Sequence, residues 1–460
     1  MNITQRLAEF AASLRYEDLP PDVVKMAKHL VLDTLGTTLA ATTLGTGCRE
    51  VVAVMSARGG KPEASIIGYS TKISAPDAAF ANGALAHALN YDAYGTETGH
   101  IGVNCLTAPL AVAETIAPVP GARFLTAVVV AAEVTARTTA AAMRGERRAS
   151  ERIQAGQYFG YFGAAAGAGH VLGMSAKAMH SAFGLVVMQV AGSRQTIIEG
   201  DAPAKAIYGA FPNQGGVLSA LLADGGLEAE IDALGGKAGF YGLAANGNYL
   251  PEAILEGLGT EFLFLKTQFK PWPTSAEVAP FIEAAIELAK THDLKPADIE
   301  AVEVRGPTRI RQWCEPVEER RSPSNAASAA NSTLFATAKG LAHREVGLRD
   351  FTAEGMRDET ALAIAARTTS RLTDGFDRSV VSVRTKNGQE LEATVRVSLG
   401  HPSRPLSYDH LVEKFKDCCA NSVVAASLDV PALVRFVDRL EDAAEVSLLA
   451  TPARPAVSRL

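Results

Sequence analysis

The spacing of apolar residues changes from helical to alternating once along the chain, and then returns. Between Ile3 and Leu14 the residues Ile3, Leu7, Phe10, Ala11 and Leu14 recur every three or four positions, which predicts a helix with one buried face. Leu19-Pro20-Pro21-Asp22 interrupts it and suits the start of a second helix over about Asp22–Ala41. Val23, Val24, Ala27, Leu30, Val31, Leu35 and Leu39 give that helix a wide apolar stripe, and Asp33 inside the stripe requires a partner or exposure. A short extended piece is expected over Ser65–Gly68 and a helix beginning at Pro76. The alanine-rich run Phe124–Ala142 reads as a central helix, since small side chains let neighbours approach. Glu133 and Arg137 are spaced on it for an i,i+4 ion pair. Helices follow over Gln154–Leu172, over Ser175–Ser193 with Ser175 as N-cap and Gly192 as stop, and over Gly216–Leu222.

The texture changes near Leu263. An extended apolar run passes through Lys270-Pro271-Trp272-Pro273 into an amphipathic helix. Ile299–Val304 then alternates, and Ser379–Leu399 reads as a hairpin about Lys386-Asn387-Gly388. The expected fold is therefore mainly α: an all-helical domain over 1–265, a smaller α+β domain over 266–400, and a helical segment over 401–460 packing back on the first. The last residues, TPARPAVSRL, are expected to be loose.

Chemistry concentrates where two buried helices are joined, in Ala81–Glu114. Asn90, Tyr91, Asp92 and Tyr94 form a polar cluster, and a glycine-punctuated loop from Gly95 to Gly102 carries Thr96, Glu97, Thr98 and His100. Polar, titratable groups on a loop held by two helices are where a scaffold positions a reactive site. On spacing alone the same loop also fits a satisfied interhelix connection.

Composition narrows the classes. At 460 residues the chain is too long for one ordinary core, and 47% hydrophobic with 20% charged residues suits a globular protein with a large interior. A net charge of −6 and a pI near 5.9 exclude a general nucleic-acid surface or a polybasic membrane anchor. The five cysteines (Cys48, Cys105, Cys314, Cys418 and Cys419) lack metal-binding spacing and read as free thiols. No HExxH or P-loop motif occurs, and Gly167–Gly173 is not a dinucleotide fingerprint. The uncharged run Gln154–Ala176 is interrupted by glycines and reads as a buried helix rather than a membrane span. With no secretory signal at the N-terminus, a cytoplasmic protein is expected.

Several stretches in order resemble the MmgE/PrpD family: LVLDTLGTTLA, ANGALAHALNYDAY, HIGVNCLTAPLAVAE, FGAAAGAGHVLGMS, APAKAIYGAFPNQGGVLSALLA and FKPWP. The resemblance implies a large helical domain, a smaller α+β lid, a cleft between them, a homodimer, no metal or organic cofactor, and a small carboxylate substrate. Residue by residue, Asp92, His100, Lys205 and Lys270 match family positions and are implied as catalytic. Where the family carries acidic residues, this chain has Asn90 and Ala93. A family histidine falls at Gln154, a histidine or cysteine region at Thr274 and Ser275, and a lid tyrosine at Phe335.

Two ammonium groups suit carboxylate binding and would stabilise the enolate-like charge left when a proton leaves the adjacent carbon. An imidazole suits acid or base work near neutrality, and Asp92 would orient His100 or accept a hydrogen bond from a substrate hydroxyl. Asn90, Tyr91, Tyr94, Gln154, Arg194 and Ser275 are the candidate substrate contacts, whereas His87 reads as a core histidine. The favoured reading is a cofactor-independent lyase of the dehydratase type, working by α-proton abstraction on a small di- or tricarboxylate. The alternatives are an epimerase or racemase of a small amino or hydroxy dicarboxylate, and a non-catalytic binding protein on the same fold.

Overall fold

A computed structural model describes residues 2–144, 153–198 and 202–452. Its centre is the Gly121–Met143 helix, buried throughout from Phe124 to Ala142. Small residues make this possible. The Ala155–Leu172 helix lies so close that a Cβ on Gly163 would fall 1.9 Å from the Thr135 hydroxyl. Thr135, Thr138 and Thr139 return their hydroxyls to carbonyls four residues back, so the buried helix leaves few polar atoms unpaired. The central helix is long and apolar enough to cross a membrane, but its apolar window is entirely covered by protein.

Glu133 and Arg137 form the expected pair at 2.6 Å with both side chains fully buried. Arg137 also donates to the carbonyls of Ile254, Glu256 and Glu261, and Glu133 accepts from the amides of Leu263 and Phe264. The pair thus fastens the chain just before it enters the second unit. Around the centre stand Ile3–Ser13, Pro21–Leu44, Ala75–His87, Ile101–Thr115, Ala176–Val187 and Ala210–Asp224, which share one core. The Tyr408–Ala420 helix returns to that core with Leu411 and Phe415.

A two-residue ladder pairs β1 (Ala64–Ser65) with β2 (Lys72–Ile73). The second unit carries the main sheet: β3 (Ile299–Pro307), β4 (Thr368–Thr373), β5 (Ser379–Thr385) and β6 (Glu390–Val395), in the order β4-β3-β5-β6. β3 is parallel to β4 and antiparallel to β5, and the β5–β6 hairpin turns at Gly388 with φ +86°. The inward positions Val302, Val304, Val381 and Val383 pack with Phe281 and Leu288 of the Ala279–Thr291 helix and Leu334 of the Thr333–His343 helix, in a core separate from the first. The protein is mainly α with a smaller α+β unit.

Several element boundaries differ from those expected. The helix expected from Gly216 starts at Ala210, because Pro212 falls in the first turn, where its missing N–H is harmless. The helix expected to reach Ser193 ends at Val187, and β6 ends at Val395 rather than Leu399. β4 was not foreseen: TTSRLT alternates, but its exposed positions Thr369, Arg371 and Thr373 make it a weak apolar signal. The terminal stretch expected to be loose lies outside the described residues from 453 on.

Candidate active site

The loop joining Ala75–His87 to Ile101–Thr115 turns sharply at Asn90. Asn90 has φ +50°, a left-handed conformation that asparagine tolerates better than most residues. Its amide donates to the His87 carbonyl at 2.8 Å, and the reversal brings Asp92 back beneath His87. Asp92 is fully buried, with Oδ1 3.0 Å from His87 Nδ1 and Oδ2 2.7 Å from His100 Nδ1. The two imidazoles meet edge to face with centroids 4.9 Å apart.

Burial lowers the pKa of His100 to about 4, against the opposing pull of Asp92, and it lowers that of His87 for the same reason. For Asp92 burial acts upward, but contact with the two imidazoles holds the carboxyl well below its usual range. Near neutrality the trio is therefore a carboxylate between two neutral imidazoles. An ionised carboxylate only accepts, so each Nδ1 carries the proton and Nε2 of His100 is the basic nitrogen left for the cavity.

That cavity, of about 250 Å³, lies between the helical body and the lid. His100, Lys205, Lys270, Asn90, Tyr94, Gln154, Arg194 and Ser275 all line it. Lys270 is 2% exposed and gives two hydrogen bonds to Asn90, at 2.8 Å to its backbone oxygen and 2.9 Å to Oδ1. Its third N–H remains for an anion. Burial lowers its pKa to about 8, with Asp92 opposing and Lys414 and Lys205 adding to the shift. Arg194 reaches across to Gln312 at 3.0 Å, joining body to lid.

Two of the expected residues stand elsewhere. Asp92 acts from beneath the floor, through the imidazoles. Tyr91 points away from the cavity: its hydroxyl donates to the Pro271 carbonyl at 3.0 Å, and its ring lies 3.6 Å under the Lys414 ammonium. Lys414 pairs with Asp33 at 2.7 Å, the partner that Asp33 required, and donates to the carbonyls of Tyr91 and Lys270. Phe335 is fully buried in the lid core.

Among the lining residues not anticipated as site residues are His87, Tyr208, Arg320 and Asn331. His87 was read as a core histidine, and it is buried, yet it borders the cavity and shares Asp92. Its five-residue separation from Asp92 was the available signal. Tyr208 packs its ring 4.0 Å from that of His87. Glycine at 156 permits this crowding, since a Cβ there would lie 2.7 Å from the Tyr208 hydroxyl and 3.1 Å from His100 Cδ2. Burial and then Asp92 push the Tyr208 phenol well above its usual pKa, with Gln154 opposing, so it stays a proton donor. Arg320 and Asn331 enter from the lid, and nothing in their local sequence marks them.

His87, Asp92 and His100 also bring donor atoms within 4.8 Å of one another, a set that a divalent transition metal accepts. A metal there would displace both hydrogen bonds that now satisfy the same atoms.

A neutral imidazole oriented by a buried carboxylate, in a cleft that several cations also line, is an arrangement able to move a proton beside a bound anion. The MmgE/PrpD N-terminal domain matches residues 5–252 and the MmgE/PrpD C-terminal domain residues 272–430, and the chain belongs to this family. The cis-aconitate decarboxylase-like protein oryM of Aspergillus oryzae is 27% identical over 479 residues, covering 97% of this chain and 96% of that protein. Cis-aconitate decarboxylase of Aspergillus terreus is 25% identical over 468 residues (96% of this chain, 94% of the relative). The enzyme of that name from Homo sapiens is 26% identical over 491 residues (99% and 96%). With these relatives, the chain is an enzyme of the lyase type.

Proposed function

We propose that the chain is a cofactor-independent lyase that removes the α-proton of a small di- or tricarboxylate and then eliminates water. The observation that carries this reading is that His100, its Nδ1 held by Asp92, lines one cavity with Lys205, Lys270, Arg194 and Arg320. The ammonium and guanidinium groups hold the carboxylates. His100 Nε2 takes the proton from the carbon beside one of them. A bound polyanion raises the basicity of this imidazole from its low resting value, because nearby negative charge favours the protonated form. Lys270 and Lys205 stabilise the enolate-like charge. As the carbon–carbon double bond forms, hydroxide leaves the β-carbon with a proton from Tyr208. His100 and Tyr208 then exchange protons with solvent to regenerate the site.

Cis-aconitate, a small tricarboxylate, is the substrate in the names of these relatives. The same reading includes a cytoplasmic homodimer. The test is NMR in D2O with a panel of hydroxy and unsaturated di- and tricarboxylates. Vinyl signals with loss of the α-proton are expected. Loss of a carbon as CO2 would assign decarboxylation instead, deuterium wash-in without a new product would assign epimerisation, and no change with any member would sink the acid–base reading altogether.

A further inference from the structure

The main cavity has an annex of about 40 Å³ at the seam between the helical body and the lid. His87, Asn90, Lys205 and Asn331 line both spaces and form the neck between them. Beyond the neck the walls are Leu44 and Leu89 from the body, and Ala327, Ala330, Leu348 and Phe351 from the lid. Leu348 and Phe351 are 4% and 6% exposed, and Ala330 is 5% exposed, so the walls are packed rather than loose. Past the neck no charged side chain among the described residues lines the annex, and its polar contributors are Thr46 and Thr352.

We infer that the annex receives an alkyl limb, and that the substrate is an alkyl-substituted dicarboxylate carrying a side chain of two or three carbons. The inference deepens the carboxylate reading above and rests on it. Lys205, Asn90 and Asn331 at the neck offer one ammonium and two amides, the groups that hold a carboxylate. The remaining cations of the main cavity serve the second carboxylate. A third carboxylate directed into the annex would be buried without a partner, which is heavily unfavourable. An alkyl limb instead leaves water for apolar walls. In water-sized units the annex holds about three non-hydrogen atoms. Small residues at Ala327 and Ala330 keep that space open, so these two positions set how long a limb fits.

The test is calorimetric titration of the intact protein with succinate, 2-methylsuccinate, 2-ethylsuccinate, 2-propylsuccinate and 2-hexylsuccinate. Affinity is expected to rise about fourfold with each carbon up to the propyl member and to stop rising before the hexyl. In Ala327→Leu the rise should disappear, so that the propyl-to-succinate affinity ratio falls at least tenfold. Thr46→Leu fills the annex from the body side and should do the same, which guards against a folding defect in either variant alone. Equal affinities along the series, or a rise that survives in both variants, overturn the annex while leaving the carboxylate reading intact. No binding by any member, succinate included, overturns both.

Discussion

Asp92 serves two imidazoles with one carboxylate, and this sets the protonation state of the candidate site. Asn in its place would present one oxygen and one NH2 group. One histidine would then face a donor where it now meets an acceptor and would have to change tautomer. Asp92→Asn is therefore expected to lower kcat by on the order of 10³–10⁴-fold with KM nearly unchanged, since no substrate contact is removed. Steady-state kinetics on the first active substrate checks this, and a rise in KM alone would place Asp92 in binding instead. Lys270 gives a second, independent readout. Its pKa of about 8 means that its charge is lost as the pH rises through that value. KM for a carboxylate should climb above pH 8, and Lys270→Gln should abolish the climb along with most of the affinity. At this scale the sequence was partly legible. The family resemblance, not local spacing, grouped His100, Lys205 and Lys270, because they flank recognisable stretches. Arg320 and Asn331 reach the cavity only through the packing of lid on body, and Tyr208 through its packing on His87 within the body, which no local pattern reports.

The elements that hold the loop show why it keeps its shape. The Pro21–Leu44 helix supplies Asp33 and the Tyr408–Ala420 helix supplies Lys414, and their buried pair lies directly behind Tyr91 and Lys270. Lys414 thus ties the C-terminal helix to both strands of chain that carry site residues. Lys414→Met would leave Asp33 buried without its cation, at a cost of about 3–5 kcal/mol. Converting Asp33 to Asn in the same chain should recover much of that, and chemical denaturation of the single and double variants measures both. Activity should not recover with stability, because the carbonyls of Tyr91 and Lys270 would still lack their donor. Equal recovery of both would reduce the pair to a stabilising contact. The need was visible in the sequence, where Asp33 interrupts an apolar stripe. Its partner was not, since Lys414 is far away in sequence and only the tertiary fold joins them. Helix ends were read less well than helix interiors, because the apolar period does not mark them: the Ala210 start goes with Pro212 in the first turn.

For the whole molecule, the buried histidines predict how stability responds to acid. His100 has a pKa of about 4 in the folded chain and about 6.5 when unfolded, and His87 shifts in the same direction. Between those values the unfolded chain binds more protons, so stability is intact above pH 6.5 and is lost as the pH falls toward 4. His100 alone accounts for about 3 kcal/mol over that window. Urea midpoints at pH 7 and pH 4.5 should differ accordingly, and by less in His100→Gln. A second property follows from what the fold leaves uncovered. On the Ala210–Asp224 helix Phe211, Leu218 and Leu222 are 43%, 41% and 42% exposed. They are seven and four residues apart, so they form one stripe on the side of the helix away from the core. An exposed apolar stripe on an otherwise well-packed molecule marks a contact surface. The same helix begins just after Lys205 and Tyr208, so a partner seated on it would also brace the cavity wall. A homodimer is expected, with a light-scattering mass twice the 48.2 kDa of one chain. Leu218→Glu should shift the mass to that of a monomer and lower kcat through the loosened Lys205–Tyr208 segment. A monomeric wild-type protein with full activity would show that the stripe covers no site function.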